Sequence, residues 1–389
     1  MEKTEGRRPK VERMNKALAH QEPDRIPVSD LFWGRFIDRW REELGLPGDA
    51  SPYYYYDLDW MVTVPNMDPH IQPFHVLAEK EDRVTVRTGF EAVITKVFAD
   101  PMPRFEKFLT ETLDKMRGFS FDDPWDERRY FQGGDNQLGG VGDGFARNLP
   151  PWSESVKSYH PDFAVYGSVC EGHETLWRIV GPENALLWSK LYEAELGEFI
   201  ERINRFMLEI AKAQIRAADG RLDGMVIWGD VAYTRDLLFH PDFWRRHFKP
   251  GVKAIIEVCH AAGLPVIYHG CGNVKRIFED FIEIGVDAYN PLEAKAGLDV
   301  VELRRQYGQR IGFCGNMSVV EWANCSREEL RAVVLRKLNA AKGGGYIFQS
   351  DHSVPSNVSG GNYDYVVRLV REQGRYPLRL GEFDIKDLG

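Results

Sequence analysis

The chain has 389 residues, 43% hydrophobic and 28% charged, the ordinary balance of a folded globular protein rather than a disordered or low-complexity one. Its formal net charge of −9 argues against nucleic acid or an anionic membrane surface as a partner, because polyanions repel an acidic surface. No apolar run approaches the roughly 18 residues that span a bilayer, and the N-terminal stretch is charged with no apolar signal core, so a cytoplasmic protein is expected.

Residues 8–19 read as a helix, leading into "PDRIPVSD" with a short strand at 26–28. "WMVTVP" holds a second strand near residues 60–64, and residues 86–100 read as a β-hairpin turning at 88–89. Residues 118–160 are rich in Gly, Pro, Asp and aromatics; the segment is too long for a plain connector and reads as a functional loop or lid. Within it, "GGDNQLGGVGDG" (133–144) neither follows a strand nor opens a helix, so it is read as a mobile lid or a docking surface, not a phosphate loop. Beyond residue 160 strands at 163–169, 224–230, 264–270, 286–290, 310–316 and 345–351 alternate with helices, one of them read as continuous from 241 to 263. The helix after residue 326 opens with Ser326 and Glu329, a capping box. Alternation of this kind implies a parallel sheet. Six strands here and two earlier predict a (β/α)₈ barrel: one domain over residues 1–389, with N-terminal helical and β-hairpin additions and an irregular insertion at about 118–160.

Such a barrel carries its site at the C-terminal ends of the strands. Those ends hold Asp30, Glu171 and His173, Asp230, His269 and Cys271, Asn290 and Glu293, Cys314 and Asn316, and Asp351 and His352. The five cysteines are odd in number and widely spread, which suits free thiols or metal ligands in a reducing compartment. In "YHGCGNV", His269 and Cys271 stand at i and i+2, so in an extended segment both side chains point the same way. Thiolate and imidazole are preferred zinc ligands, Glu293 at the next strand end adds a carboxylate, and Gly270 and Gly272 let the backbone turn tightly around an ion. A Cys–His pair also serves as nucleophile and base, although side-by-side placement suits chelation better; alternatively Cys271 is a small buried hydrophobe and His269 a satisfied strand-end polar group. Asp230 is read as a catalytic acid or substrate-orienting group, or as a helix-capping carboxylate. Glu171 is read as a second catalytic candidate, or as a helix-start carboxylate. Trp33, His173, Tyr233, Asn290 and Asn316 are the substrate-binding candidates, His173 having a surface position as its alternative. The run "YYYY" (53–56), with Trp33 and Trp60, either walls a substrate, through cation–π contact if that is a quaternary ammonium, or packs helices against the barrel.

The segments "RIPV", "HGCGNV", "GVDAYNPLEA", "FCGNMS" and "GGGYIFQSDHSVP" make residues 8–375 resemble the uroporphyrinogen decarboxylase superfamily, most specifically from residue 223 onward. The resemblance implies a (β/α)₈ barrel. True decarboxylases of that superfamily hold porphyrinogen carboxylates on an Arg-rich "RQAGR"-type segment. The corresponding stretch here, "SDLFWGRFIDRW", offers Phe32, Trp33 and Phe36 instead. The chain is therefore more similar to the methyltransferase branch, which works with corrinoid proteins or with thiol acceptors such as coenzyme M. That branch, like cobalamin-independent methionine synthase, holds zinc on His-x-Cys, a Glu about 22 residues on and a late Cys; His269, Cys271 and Glu293 match. The late Cys is missing, which leaves Asp351, His352 or Cys314 to complete the set. Replacing sulfur with oxygen or nitrogen makes zinc a stronger Lewis acid, suited to activating the leaving oxygen of a methyl ether or alcohol. The resemblance thus implies a Zn²⁺-dependent methyltransferase moving a methyl group between a small methylated substrate (ether, alcohol or amine) and a thiol or a corrinoid (cobalamin) carried by a partner protein. A metal-free decarboxylase using Asp230 and arginines is the alternative, and a non-catalytic binding protein the third reading.

Overall fold

The computed structural model describes residues 6–72, 74–100, 102–138 and 146–381. The expected N-terminal helix forms over Arg7–Leu18 and is followed, after an extended stretch through Val28, by β1 (Trp60–Val62). The expected hairpin is the centre of a four-stranded antiparallel sheet, β2 (His75–Lys80), β3 (Arg83–Arg87), β4 (Ala92–Val97) and β5 (Arg104–Phe108). Val84, Val86 and Ile94 alternate onto one face of this sheet and bury together with Phe74. The 118–160 segment, expected to be irregular, contains the short helices Arg128–Phe131 and Trp152–Tyr159 around a hairpin of β6 (Gly134–Asn136) and β7 (Ala146–Leu149). Residues 139–144 of the expected lid lie outside the described residues.

The later strands are β8 (Ala164–Cys170), β9 (Gly224–Trp228), β10 (Val266–His269), β11 (Ala288–Asn290), β12 (Gly312–Met317) and β13 (Tyr346–Ser350). With β1 they form one parallel sheet in the order β1-β8-β9-β10-β11-β12-β13. Residues 27–29 join its two ends: the Phe348 N–H donates to Pro27 O (2.9 Å), Ser29 N–H to Phe348 O (3.1 Å), and Asp59 N–H to Val28 O (2.9 Å). The sheet is therefore a closed (β/α)₈ barrel. Its expected eighth strand shrinks to a single bridge at Val28 for a chemical reason. Pro27 has no N–H to give, and the Val28 N–H is taken by the Asp59 carboxylate at 2.7 Å.

The helix Arg7–Leu18 plugs the N-terminal end, placing Met14 and Ala17 against Trp60, Tyr166, Ile267 and Cys314 inside the barrel. Each fully buried large apolar side chain of this kind stabilises the fold by roughly 1.5–3 kcal/mol. The capping box forms as read, Ser326 and Glu329 answering each other's backbone N–H. The helix expected over 241–263 is two helices, Pro241–His247 and Lys249–Ala261. Pro250 has no N–H to continue the first helix's hydrogen bonding, and it sits in the first turn of the second helix, where none is needed, so the helix is interrupted at Phe248. Among the described residues no helix is long and apolar enough to cross a membrane.

Candidate functional site

His269 is the last residue of β10, registered between Trp228 of β9 and Asn290 of β11. Its ring packs edge-on to Trp228, centroids 4.8 Å apart. The hydrogen-bond network decides its tautomer. Asn290 Nδ2 faces two acceptors, Cys314 O at 3.0 Å and Gln349 Oε1 at 3.2 Å. Asn290 Oδ1 is thereby turned to His269 Nδ1, 2.5 Å away, and accepts its proton. The lone pair is left on Nε2, which lies 3.8 Å from Cys271 Sγ and 3.9 Å from Asp230 Oδ1. Such a partner on the far nitrogen is how metal-ligating histidines are aimed.

Beyond His269 the chain turns sharply. Gly272 sits at φ 86°, and a Cβ there would come within 2.7 Å of the Ala232 carbonyl carbon, so only glycine fits the turn. The Cys271 N–H donates to Asp230 Oδ1 at 2.7 Å, tying this loop to the one after β9. One donor atom each from Asp230, His269 and Cys271 falls within 4.8 Å of the others. Nitrogen, sulfur and oxygen donors converging this closely fit the preferences of zinc. Burial lowers the His269 pKa, so its ring stays neutral with Nε2 able to coordinate. Burial, then Asp230 and Glu293, pushes the Cys271 thiol up; a bound cation is what favours its thiolate form.

The other expected ligands are arranged differently. Glu293 lies beside the group but outside it, Oε2 accepting Gly272 N–H at 2.7 Å and Oε1 paired with Lys295 Nζ at 2.8 Å. His352 lines the same cavity, its ring 6.3 Å from that of Trp33 and nearly parallel to it. Asp351, also expected as a ligand, accepts Ala294 N–H (3.0 Å) and Val319 N–H (2.9 Å) on its two oxygens and braces two loops. Cys314 is another of the expected ligands. It lies in the barrel interior, donates to Gln349 Oε1 at 3.0 Å, and burial raises its pKa.

The structure places the catalytic and substrate-binding candidates as follows. Glu171 is fully buried behind the site, accepting from Trp244 Nε1 (2.9 Å) and from the Tyr268 hydroxyl, and burial pushes its pKa up to about 8. His173 packs between Phe239 and Phe248, buried and with its pKa lowered by desolvation to about 4. All of Asn316's polar capacity serves the backbone and Lys337: Oδ1 accepts from Val300 N (3.0 Å) and Lys337 Nζ (2.7 Å), and Nδ2 donates to Leu292 O and Leu298 O. Asn290 is buried and holds the His269 ring. Tyr233 is 51% exposed and lies outside the cavity wall. The tyrosine run packs: Tyr53 meets Phe32 edge-on and the Tyr56 hydroxyl accepts from Trp40 Nε1 at 2.8 Å.

Asp230, His269 and Cys271 border a cavity of about 300 Å³ at the barrel mouth. Trp33, expected at the substrate, lines it with Leu31, Met67 and Leu138. Trp228, Glu174 and Arg178 are among the lining residues that sequence reading did not single out. The last two had a signal, an acid and a base at i, i+4 in the helix Gly172–Val180, a spacing that puts both on one face.

The family model for uroporphyrinogen decarboxylase (URO-D) matches residues 157–373. No curated protein matches the chain. Among solved structures, a methyltransferase from Methanosarcina mazei superposes with a TM-score of 0.62 at 15% identity, over 93% of this chain and 98% of that one. A Listeria monocytogenes structure described as a vitamin-B12 independent methionine synthase aligns over 59% of this chain and 71% of that one, at 10% identity and a TM-score of 0.40, too low to carry an argument. The family match spans more than half of the sequence and takes in strands β8 to β13 with the His269–Cys271 turn: the chain belongs to the uroporphyrinogen decarboxylase family.

Proposed function

We propose that the protein is a zinc-dependent methyltransferase that moves a methyl group from a small methylated substrate, of ether, alcohol or amine type, to a corrinoid carried by a partner protein. The observation that carries this reading is the convergence of Asp230, His269 and Cys271 on one side of a small, largely apolar cavity. His269 Nε2, Cys271 Sγ and the Asp230 carboxylate would hold the zinc, with Glu293 and His352 as the donors standing beside them. When bound, zinc supplies a Lewis acid that polarises the substrate heteroatom bearing the methyl group.

The protein's own residues prepare that event. Asn290 holds His269 in one tautomer, so its Nε2 lone pair needs no reorganisation to bind. Asp230, by accepting the Cys271 N–H, fixes the relative position of the two loops that carry the donors. Trp33, Met67 and Leu138 give the substrate an apolar surface and exclude water from the donors. A cavity of about 300 Å³ suits a small molecule. It does not suit a polycarboxylate macrocycle, and Phe32 and Phe36, at the place of the decarboxylase arginines, are buried and stacked 5.5 Å apart.

The test has two arms. Protein purified without added metal is expected to carry about one zinc per chain, and to form methylcobalamin from cob(I)alamin and a methylated donor found in a screen of ethers, alcohols and amines. Protein that takes up no zinc on reconstitution, or that keeps full activity after chelation, defeats the reading.

A further inference from the structure

Among the described residues lining the cavity, Arg178 is the only Arg or Lys. Its side chain is 9% exposed, and its only hydrogen bond among the described residues runs from Nη2 to Glu174 Oε2 at 2.9 Å. The Nε is buried with no acceptor. The Trp177 ring covers one face of the guanidinium, 4.4 Å from its central carbon. A guanidinium carries five N–H donors, and leaving buried donors unanswered is costly. Glu174 answers one edge only. The other buried carboxylate that interacts with Arg178, Asp68, is already engaged by the Gln137 N–H at 3.0 Å. The protein has thus built a rigid cation, held at one edge and covered on one face, in a cavity whose other walls include Trp33, Trp228, Met67 and Leu138.

We propose that Arg178 binds a carboxylate of the substrate, so that the cavity takes a small methylated carboxylic acid with an apolar body. The planar fork of a guanidinium matches the two oxygens of a carboxylate, and the aromatic and aliphatic walls match the body between that anion and the donor group. The methylated half of this ligand rests on the proposed methyl transfer; the anionic half rests on Arg178 alone.

The test compares 4-methoxybenzoate with 4-methoxybenzamide, probes of nearly the same shape that differ in charge. Binding to the zinc-loaded full-length protein is measured by titration calorimetry. Wild type is expected to bind the acid at least roughly tenfold more tightly than the amide, the usual worth of a hydrogen bond to a charged group. Arg178→Gln is expected to erase that preference and Arg178→Lys to keep part of it. A wild type that binds both probes equally, or neither, overturns the proposal, as does an Arg178→Gln variant that still prefers the acid. Should Arg178→Gln fail to fold, the wild-type comparison and the Lys variant decide between the two outcomes. Calorimetry reads no methyl transfer. A protein that prefers the acid but methylates no corrinoid removes the methyltransferase reading and leaves the anion site. A protein that demethylates ethers without regard to charge does the reverse.

Discussion

The loops after β9 and β10 and the loops after β12 and β13 carry the same kinds of side chain and use them in opposite ways. Near the end of β12 and just after β13, the polar atoms of Asn316 and Asp351 are engaged by backbone groups and Lys337. After β9 and β10, Asp230 gives an oxygen to one backbone N–H, while His269 Nε2 and Cys271 Sγ are left facing each other and Asp230. A buried polar group must find partners. For Asn316 and Asp351 the fold supplies them all, so those side chains build the barrel mouth. After β9 and β10 the partners are incomplete, so something from outside can join. Chemical type at a strand end therefore marks a candidate, and unanswered donor atoms separate a site from a brace.

The comparison breaks most visibly at Cys271. Cys271→Ala is expected to abolish zinc binding and methyl transfer while moving the thermal midpoint by less than about 3 °C, because the residue lies outside the packed interior. A variant that does not fold makes the metal structural and places this region with the braces. Next in size is Asn290→Ala, which frees the His269 ring; zinc affinity, read by competition with a chelator, is expected to fall about 10- to 100-fold. Unchanged affinity means that Asn290 does not aim the ring. On the bracing side, Asp351→Ala leaves the N–H groups of Ala294 and Val319 without their acceptor. Denaturant unfolding is expected to show a loss of about 2 kcal/mol with zinc stoichiometry unchanged; lost zinc with stability intact makes Asp351 a ligand.

The smallest effect concerns Asp30, another strand-end carboxyl engaged within the fold, by the Ser350 and Tyr363 hydroxyls. Burial raises its pKa to about 7, against those hydroxyls, which lower it. The folded state therefore keeps a proton that the unfolded chain releases near its ordinary value of about 4. The stability this contributes is fully present below about pH 4 and is lost as pH rises through 7. Asp30→Asn removes the titration, so its stability relative to wild type is expected to rise between pH 5 and pH 8. Parallel stability–pH curves for the two proteins contradict this assignment.

Much of the molecule was legible in the chain. The strands from 163 onward, the capping box at Ser326 and the shared direction of His269 and Cys271 depend on residues a few positions apart, where alternation and hydrogen-bond chemistry act directly. The failures were of two kinds. Pro250 splitting a helix and Pro27 curtailing the eighth strand were local and readable, since each removes a donor. That Asp230 forms the close group with His269 and Cys271 was not. Asp230 meets the Cys271 N–H across 41 residues, and Glu293 is held away by the Gly272 N–H and Lys295.

The sequence by itself determined the barrel, the strand-end position of its reactive residues and the pairing of His269 with Cys271, because periodicity and short spacings are properties of the chain. Only the tertiary structure decided which carboxylate joins that pair, that Cys314 lies in the barrel interior, and that Arg178 reaches the cavity. Those outcomes turn on which donor atoms remain unanswered once distant loops have closed on one another, a sum over contacts that no local pattern records.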